Sequence, residues 1–223
     1  MGRLGREHPL GSALFTLHYI HDPLCGWCYA ASPLLNAAAA MPDCEIRLHG
    51  GALWPEPTVL PPAMREQIRS ADQRIARLTG QTFGRKYHEE LLPSDALVLH
   101  SRPTLAAVLA AREIAGPTGE LAMLNAIQRA NYVEARHVVQ EATLQALAEQ
   151  LGFDVAAFND AFARAPVDAH VREARQWMAR IGAAGFPAAC VETAAQRLLP
   201  IVPQEFLGQP DAFVRRLRET AAA

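Results

Sequence analysis

Four cysteines in 223 residues are too few for a disulfide-stapled scaffold, and a chain of this length does not need one. An excess of either charge is also missing. The formal net charge is −2, which gives no electrostatic footing for nucleic acid or an anionic membrane surface. No stretch is long and apolar enough to span a bilayer. Aromatics make up only 7% of the chain while alanine is abundant, a balance that favours helix. Residues 1 to 12 read as a loose lead-in. They hold basic residues but no apolar run and no A-x-A-like cleavage site, so the expectation is a cytoplasmic protein. Half the residues are hydrophobic and a fifth are charged, which suits one domain with an insertion or two small units.

What is present is organised around residues 14 to 37. Leu14 to Ile20 is apolar and β-rich and reads as a buried strand. The turn His21-Asp22-Pro23-Leu24 delivers Cys25-Gly26-Trp27-Cys28, and a helix is expected over 26–41, ending before Pro42-Asp43. Pro33 lies inside it, removes a backbone donor and should kink the axis. A thiol at a helix N-terminus sits beside unpaired N–H groups and the positive end of the helix dipole, which favours its thiolate. The three-residue spacing lets the second thiol reach the first within one turn, so the pair can close and reopen as a disulfide.

Residues 44–50 alternate and read as a second strand; one crossover helix implies parallel pairing with a right-handed connection. Leu53-Trp54-Pro55-Glu56-Pro57 and Leu60-Pro61-Pro62 mark an irregular linker. Helical periodicity follows, with helices expected near 62–79, 83–91, 103–115, 118–131, 140–151, 154–163 and 167–182 and almost no strand signal. Strands return at 188–192 and 196–201, and Asp211 to Thr220 forms a last helix. The order is β-α-β, a large all-helical insertion, then β-β-α. The implied division places 14–60 with 183–223 in one unit and 61–182 in the insertion.

Strand, C-x-x-C, kinked helix, parallel strand, hairpin and final helix together resemble the thioredoxin fold, and the helical insertion resembles its DsbA-type branch. The segments Asp22 to Tyr29, His49-Gly50-Gly51 and Gly185-Phe186-Pro187 are similar to the cytosolic FrnE-like, predicted disulfide-isomerase members of that branch. The resemblance implies an attacking thiol at Cys25 and a resolving thiol at Cys28. It implies a cis proline at Pro187, with the Phe186 backbone offered to an extended substrate strand. Gly26 and Trp27 would tune the redox poise, and a protonated His21 would lower the Cys25 pKa while Asp22 would raise it. No second downstream cysteine pair is present, so a relay through another disulfide is not expected.

Blander readings stand beside these. The C-x-x-C is half of a zinc site, and His18 and His21 would complete a Cys2His2 set; its place before a helix favours redox chemistry, with no metal. Asp22 serves equally well as a turn cap. Cys44 and Cys190 read as small buried hydrophobes. His49, Trp54 and His88 either line a substrate cleft or simply pack, and Tyr29 packs beside the site.

The expected function is thiol–disulfide oxidoreductase chemistry through a mixed disulfide. It needs no cofactor, has glutathione as a possible co-substrate, and acts on a disulfide or dithiol protein or a small thiol. Neither nucleic acid nor membrane is an expected partner, and the chain is read as a monomer or homodimer. The alternative is a glutathione-dependent isomerase or transferase resembling the kappa-class and hydroxychromene-carboxylate isomerase types, which usually carry serine at the position of Cys25. A third reading is a non-catalytic, redox-regulated holdase.

Overall fold

The computed structural model describes residues 15 to 222, so the expected lead-in over 1–12 and the first strand residue, Leu14, lie outside it. Strand β1 (Phe15–His21) is central in a four-stranded sheet. It pairs in parallel with β2 (Cys44–Gly50), Phe15 facing Cys44 and His21 facing Gly50. On its other side it runs antiparallel to β5 (Ala188–Thr193), which in turn pairs with β6 (Leu198–Ile201). The order β2-β1-β5-β6 is the thioredoxin arrangement.

Both faces of β1 are covered, so its residues are buried with only Thr16 partly open. The strand period of two sorts them. Phe15, Leu17 and Tyr19 join the main core with Leu34, Leu35, Phe213 and Leu217. These come from helices α2 (Ser32–Ala39) and α8 (Pro210–Ala221), which pack on each other. His18 and Ile20 face α7 (Val167–Ile181) instead, where Trp177 stacks on His18 with ring centroids 3.8 Å apart.

The expected single helix over 26–41 is two. Helix α1 (Gly26–Ala30) ends at Ala31 and α2 restarts with Pro33 in its first turn, where no N–H is required. Proline cannot supply the amide that the Tyr29 carbonyl would receive in a continuous helix. Ser32 Oγ and Gln81 Nε2 donate to that carbonyl instead, at 2.9 and 2.7 Å.

Between the sheet halves run α3 (Pro62–Thr79), α4 (Ser101–Tyr132), α5 (Glu141–Gln150) and α6 (Val155–Ala163). The two helices expected near 103–115 and 118–131 are the two arms of α4, separated where Gly116 takes φ +65° before Pro117. The segment expected as a helix over 83–91 is a wide π-type turn at Tyr87–Leu91. One feature corrects the all-helical insertion. A two-residue strand, β4 (Val98–Leu99), pairs antiparallel with β3 (Thr58–Val59) in the proline-rich linker. Two residues give no period to read, and their partners lie some forty positions apart. Among the described residues no helix is long and apolar enough to cross a membrane.

Candidate active site

Cys25 is the N-cap residue of α1, in extended backbone geometry (φ −93°, ψ 116°), and is buried. Its carbonyl accepts the amides of Cys28 and Tyr29 at 3.0 Å each, which fixes both cysteines on one turn. All four cysteines are free thiols. Cys28 is 1% exposed, and burial together with the adjoining Cys25 sulfur pushes its thiol well above the ordinary range. One thiol therefore faces the site while the other stays protonated beneath it.

The Phe186–Pro187 peptide is cis, and the Phe186 carbonyl accepts a long contact from the Cys25 thiol at Sγ–O 3.9 Å. Pro187 is held from behind, its carbonyl accepting Gln204 Nε2 at 2.7 Å. The two glycines of His49-Gly50-Gly51 have separate steric reasons. A Cβ on Gly51 would lie 2.2 Å from the Phe186 ring, and one on Gly50 would lie 2.3 Å from Leu105. Gly51→Ala is therefore expected to displace the Phe186 ring and destabilise the fold by about 1–3 kcal/mol, the usual cost of overpacking. Urea unfolding of the variant measures this, and an unchanged midpoint would contradict the packing account.

The turn before Cys25 is pinned by Asp22, which is fully buried. Its carboxylate accepts the Leu24 amide at 2.7 Å and the Leu53 amide at 2.8 Å, and the Ser101 hydroxyl also bonds to it. Ser101 closes the set, accepting the Trp54 amide through its hydroxyl and giving its own amide to the Trp54 carbonyl. The C-x-x-C turn, the linker and the start of α4 are thus tied at one carboxylate. Burial pushes the Asp22 pKa up and these hydrogen bonds resist the rise. Asp22 is a structural cap, the blander of its two readings.

His21 is not the cationic neighbour that the sequence suggested. It is fully buried, both ring nitrogens lack partners, and burial with His170 and His49 nearby pushes its pKa down to about 3. A neutral imidazole supplies no positive charge to Cys25. The sequence could not reveal this, because the enclosing residues His49 and His170 lie on distant elements. His18 turns the other way, bonding to His49 at 3.0 Å and to Glu192 at 2.8 Å. Among the described residues no group of three or more His, Cys, Asp or Glu is placed to hold a metal ion.

A cleft of about 250 Å³ opens beside Cys25, Gly26 and Trp27, walled by α3, the linker and the end of α4. Its surface is mostly apolar, with Leu60, Ile75 and Tyr132 among its walls. Trp27 lies on its rim, with the Arg74 guanidinium 5.7 Å from its ring. Of the three other residues weighed as cleft lining, Trp54 is there. His49 packs against His18 and Trp177 on α7, and His88 packs against Phe83. Tyr29 stacks on Tyr132 at 4.9 Å, joining α1 to the insertion. Cys190 is fully buried in β5 and Cys44 is half-buried at the start of β2.

Two residues of the site were not legible beforehand. Ser101 opens the run Ser101-Arg102-Pro103, where the sequence marks only a helix cap. Asp72 sits in the run Ser70-Ala71-Asp72-Gln73-Arg74, which reads as a solvated face, yet it is 2% exposed and lines the cleft. A polar residue one turn before the buried Ile75 is the only signal that pointed to it.

Residues 16–209 match the family described as DSBA-like thioredoxin domain. The cytosolic disulfide reductase DsbM from Pseudomonas aeruginosa is similar at 42% identity and TM-score 0.82, over 92% of this chain and 97% of that one. The structure of the same protein with GSH is similar at 41% identity and TM-score 0.82, covering 93% and 100%. A 2-hydroxychromene-2-carboxylate isomerase shares the fold at 15% identity and TM-score 0.59, covering 93% and 98%. Comparison with curated proteins returns no match.

Proposed function

The chain belongs to the DSBA-like thioredoxin-domain family and is a thiol–disulfide oxidoreductase, and we propose that Cys25 is its attacking thiol and Cys28 its resolving thiol. The observation that carries this assignment is the placement of Cys25: N-cap of α1, against the Phe186 carbonyl, in the lining of the cleft. In the reducing direction the Cys25 thiolate attacks one sulfur of a substrate disulfide. A mixed disulfide forms and the other substrate sulfur leaves. Cys28 then gives up its proton and attacks the Cys25 sulfur, releasing the second substrate thiol and leaving Cys25 and Cys28 oxidised. Two electrons pass from the protein dithiol to the substrate.

The physiological direction we propose is reduction, in the cytoplasm, with glutathione returning the pair to the dithiol. Support comes from the similarity to a cytosolic disulfide reductase also seen with GSH. Phe186 and Pro187 would receive the substrate backbone, and Gly26 and Trp27 would shape the approach to Cys25. Equilibration in glutathione redox buffers tests the core of this reading. Quantified by thiol alkylation and mass, Cys25 and Cys28 are expected to switch together from dithiol to disulfide. A pair that never closes across the buffer series would overturn it and revive the glutathione-dependent isomerase or transferase reading. The presence of cysteine at position 25, where those enzymes usually have serine, already speaks against that alternative.

A further inference from the structure

Asp72 has no part in the exchange as described so far, and its surroundings give it one. It lies on α3, lines the cleft together with Cys25, Gly26 and Trp27, and is 2% exposed. Its Oδ2 is buried and has no hydrogen-bond partner. Its Oδ1 borders the first residue after Cys25 so closely that a Cβ on Gly26 would lie 3.2 Å away. A buried carboxyl oxygen without a partner is costly, and the carboxyl that carries it lines the same cleft as Cys25.

We infer that Asp72 is the proton carrier for the substrate sulfur, an inference that rests on the Cys25–Cys28 reading above. When the Cys25 thiolate attacks a disulfide, one S–S bond breaks, one forms, and the departing sulfur carries the electron pair away as a thiolate. Protonated Asp72 gives that sulfur its proton and becomes a carboxylate. In the reverse direction the Asp72 carboxylate takes the proton of an incoming thiol as its sulfur attacks oxidised Cys25. The proton count balances in both directions without another reagent.

The groups around Asp72 suit this exchange. Tyr87 bonds to it from the π-type turn and Arg69 lies on its own helix; both favour the carboxylate. Burial outweighs them and brings the carboxyl to about 7, where both forms are populated near neutral pH. From α4, Tyr132 faces the same point and is held neutral by burial. Arg74 is engaged over Trp27.

A leaving-group comparison tests the inference. Thiolates of acidic aromatic thiols depart readily, whereas an ordinary aliphatic thiol, with a pKa near ~8.5, gains from protonation. Reduction of glutathione disulfide and of a nitrothiophenol disulfide is measured by stopped flow across pH 5 to 9 (about two units either side of neutrality). Taking the ratio of the two rates removes the ionisation of Cys25. For the wild type this ratio is expected to fall as pH rises through about 7, where Asp72 loses its proton. Asp72→Asn is expected to slow glutathione disulfide reduction by about 100-fold, the low end of a general-acid effect, to slow the aromatic disulfide much less, and to flatten the ratio. Tyr87→Phe removes a bond that favours the carboxylate, so it should move the inflection to higher pH. Equal loss on both disulfides in Asp72→Asn, or a ratio that still inflects near neutrality, would overturn the proton-carrier role and leave the cysteine pair standing. A wild type inactive on both disulfides would remove the cysteine reading and this one together.

Discussion

Cys25→Ser is expected to lower insulin disulfide reduction by at least about 1,000-fold, because an alcohol at that position is a far weaker nucleophile than a thiol. Cys28→Ser should fail differently. The first attack remains possible, but the resolving sulfur is gone, so the enzyme accumulates as a mixed disulfide at Cys25 that intact-mass measurement detects. Neither remaining thiol can substitute. Cys190 is fully buried in β5 opposite His18, and Cys44 opens β2 opposite Phe15, at the far end of β1 from the C-x-x-C turn. A Cys25→Ser protein that still reduced insulin would end the assignment. Trapped adduct in both single variants would mean that the two thiols do not divide the roles as proposed.

Asp22→Ala is expected to destabilise the fold by roughly 2–5 kcal/mol, since each buried donor left unsatisfied costs about 1–3 kcal/mol. The Leu24 and Leu53 amides lose their acceptor together, and the Leu24 amide is left unsatisfied in a buried position. The loss should also be local. Leu24 precedes the attacking thiol, so the C-x-x-C turn becomes free to move and activity falls beyond what partial unfolding explains. Hydrogen exchange at the Leu24 and Leu53 amides, with urea unfolding, separates the two effects. A shift below about 0.5 kcal/mol, the range of an ordinary surface change, would show that the tie is dispensable.

The contrast between Asp22 and Asp72 explains which parts of the site the sequence reveals. Asp22 belongs to a continuous run in which turn, cysteines and helix start follow one another, so local rules place it. Pro187 is legible for a related reason: its meaning rests on a resemblance of short motifs, although its partner lies far along the chain. Asp72 is polar on an otherwise polar stripe, and its burial comes from Gly26, Tyr87 and Tyr132, none of them near it in sequence. His21 errs in the opposite sense. Its neighbourhood in sequence suggests a cation beside Cys25, and only the tertiary enclosure makes it neutral. The β3–β4 pair escapes for a third reason, since two-residue strands carry no alternation at all.

The central position of β1 has a consequence for how the molecule is made. Its parallel neighbour β2 follows within one crossover, but its antiparallel neighbour β5 comes only after the entire insertion. Cys25 and the carbonyl it meets are 161 residues apart. During synthesis from the N-terminus, both site thiols emerge before β5, just after a strand whose second ladder has not yet been made. The C-x-x-C turn is therefore made well before the β5 segment that encloses it. Its closing contacts bear the loop-closure cost of the whole intervening chain, which makes assembly of the site a late, long-range event in folding.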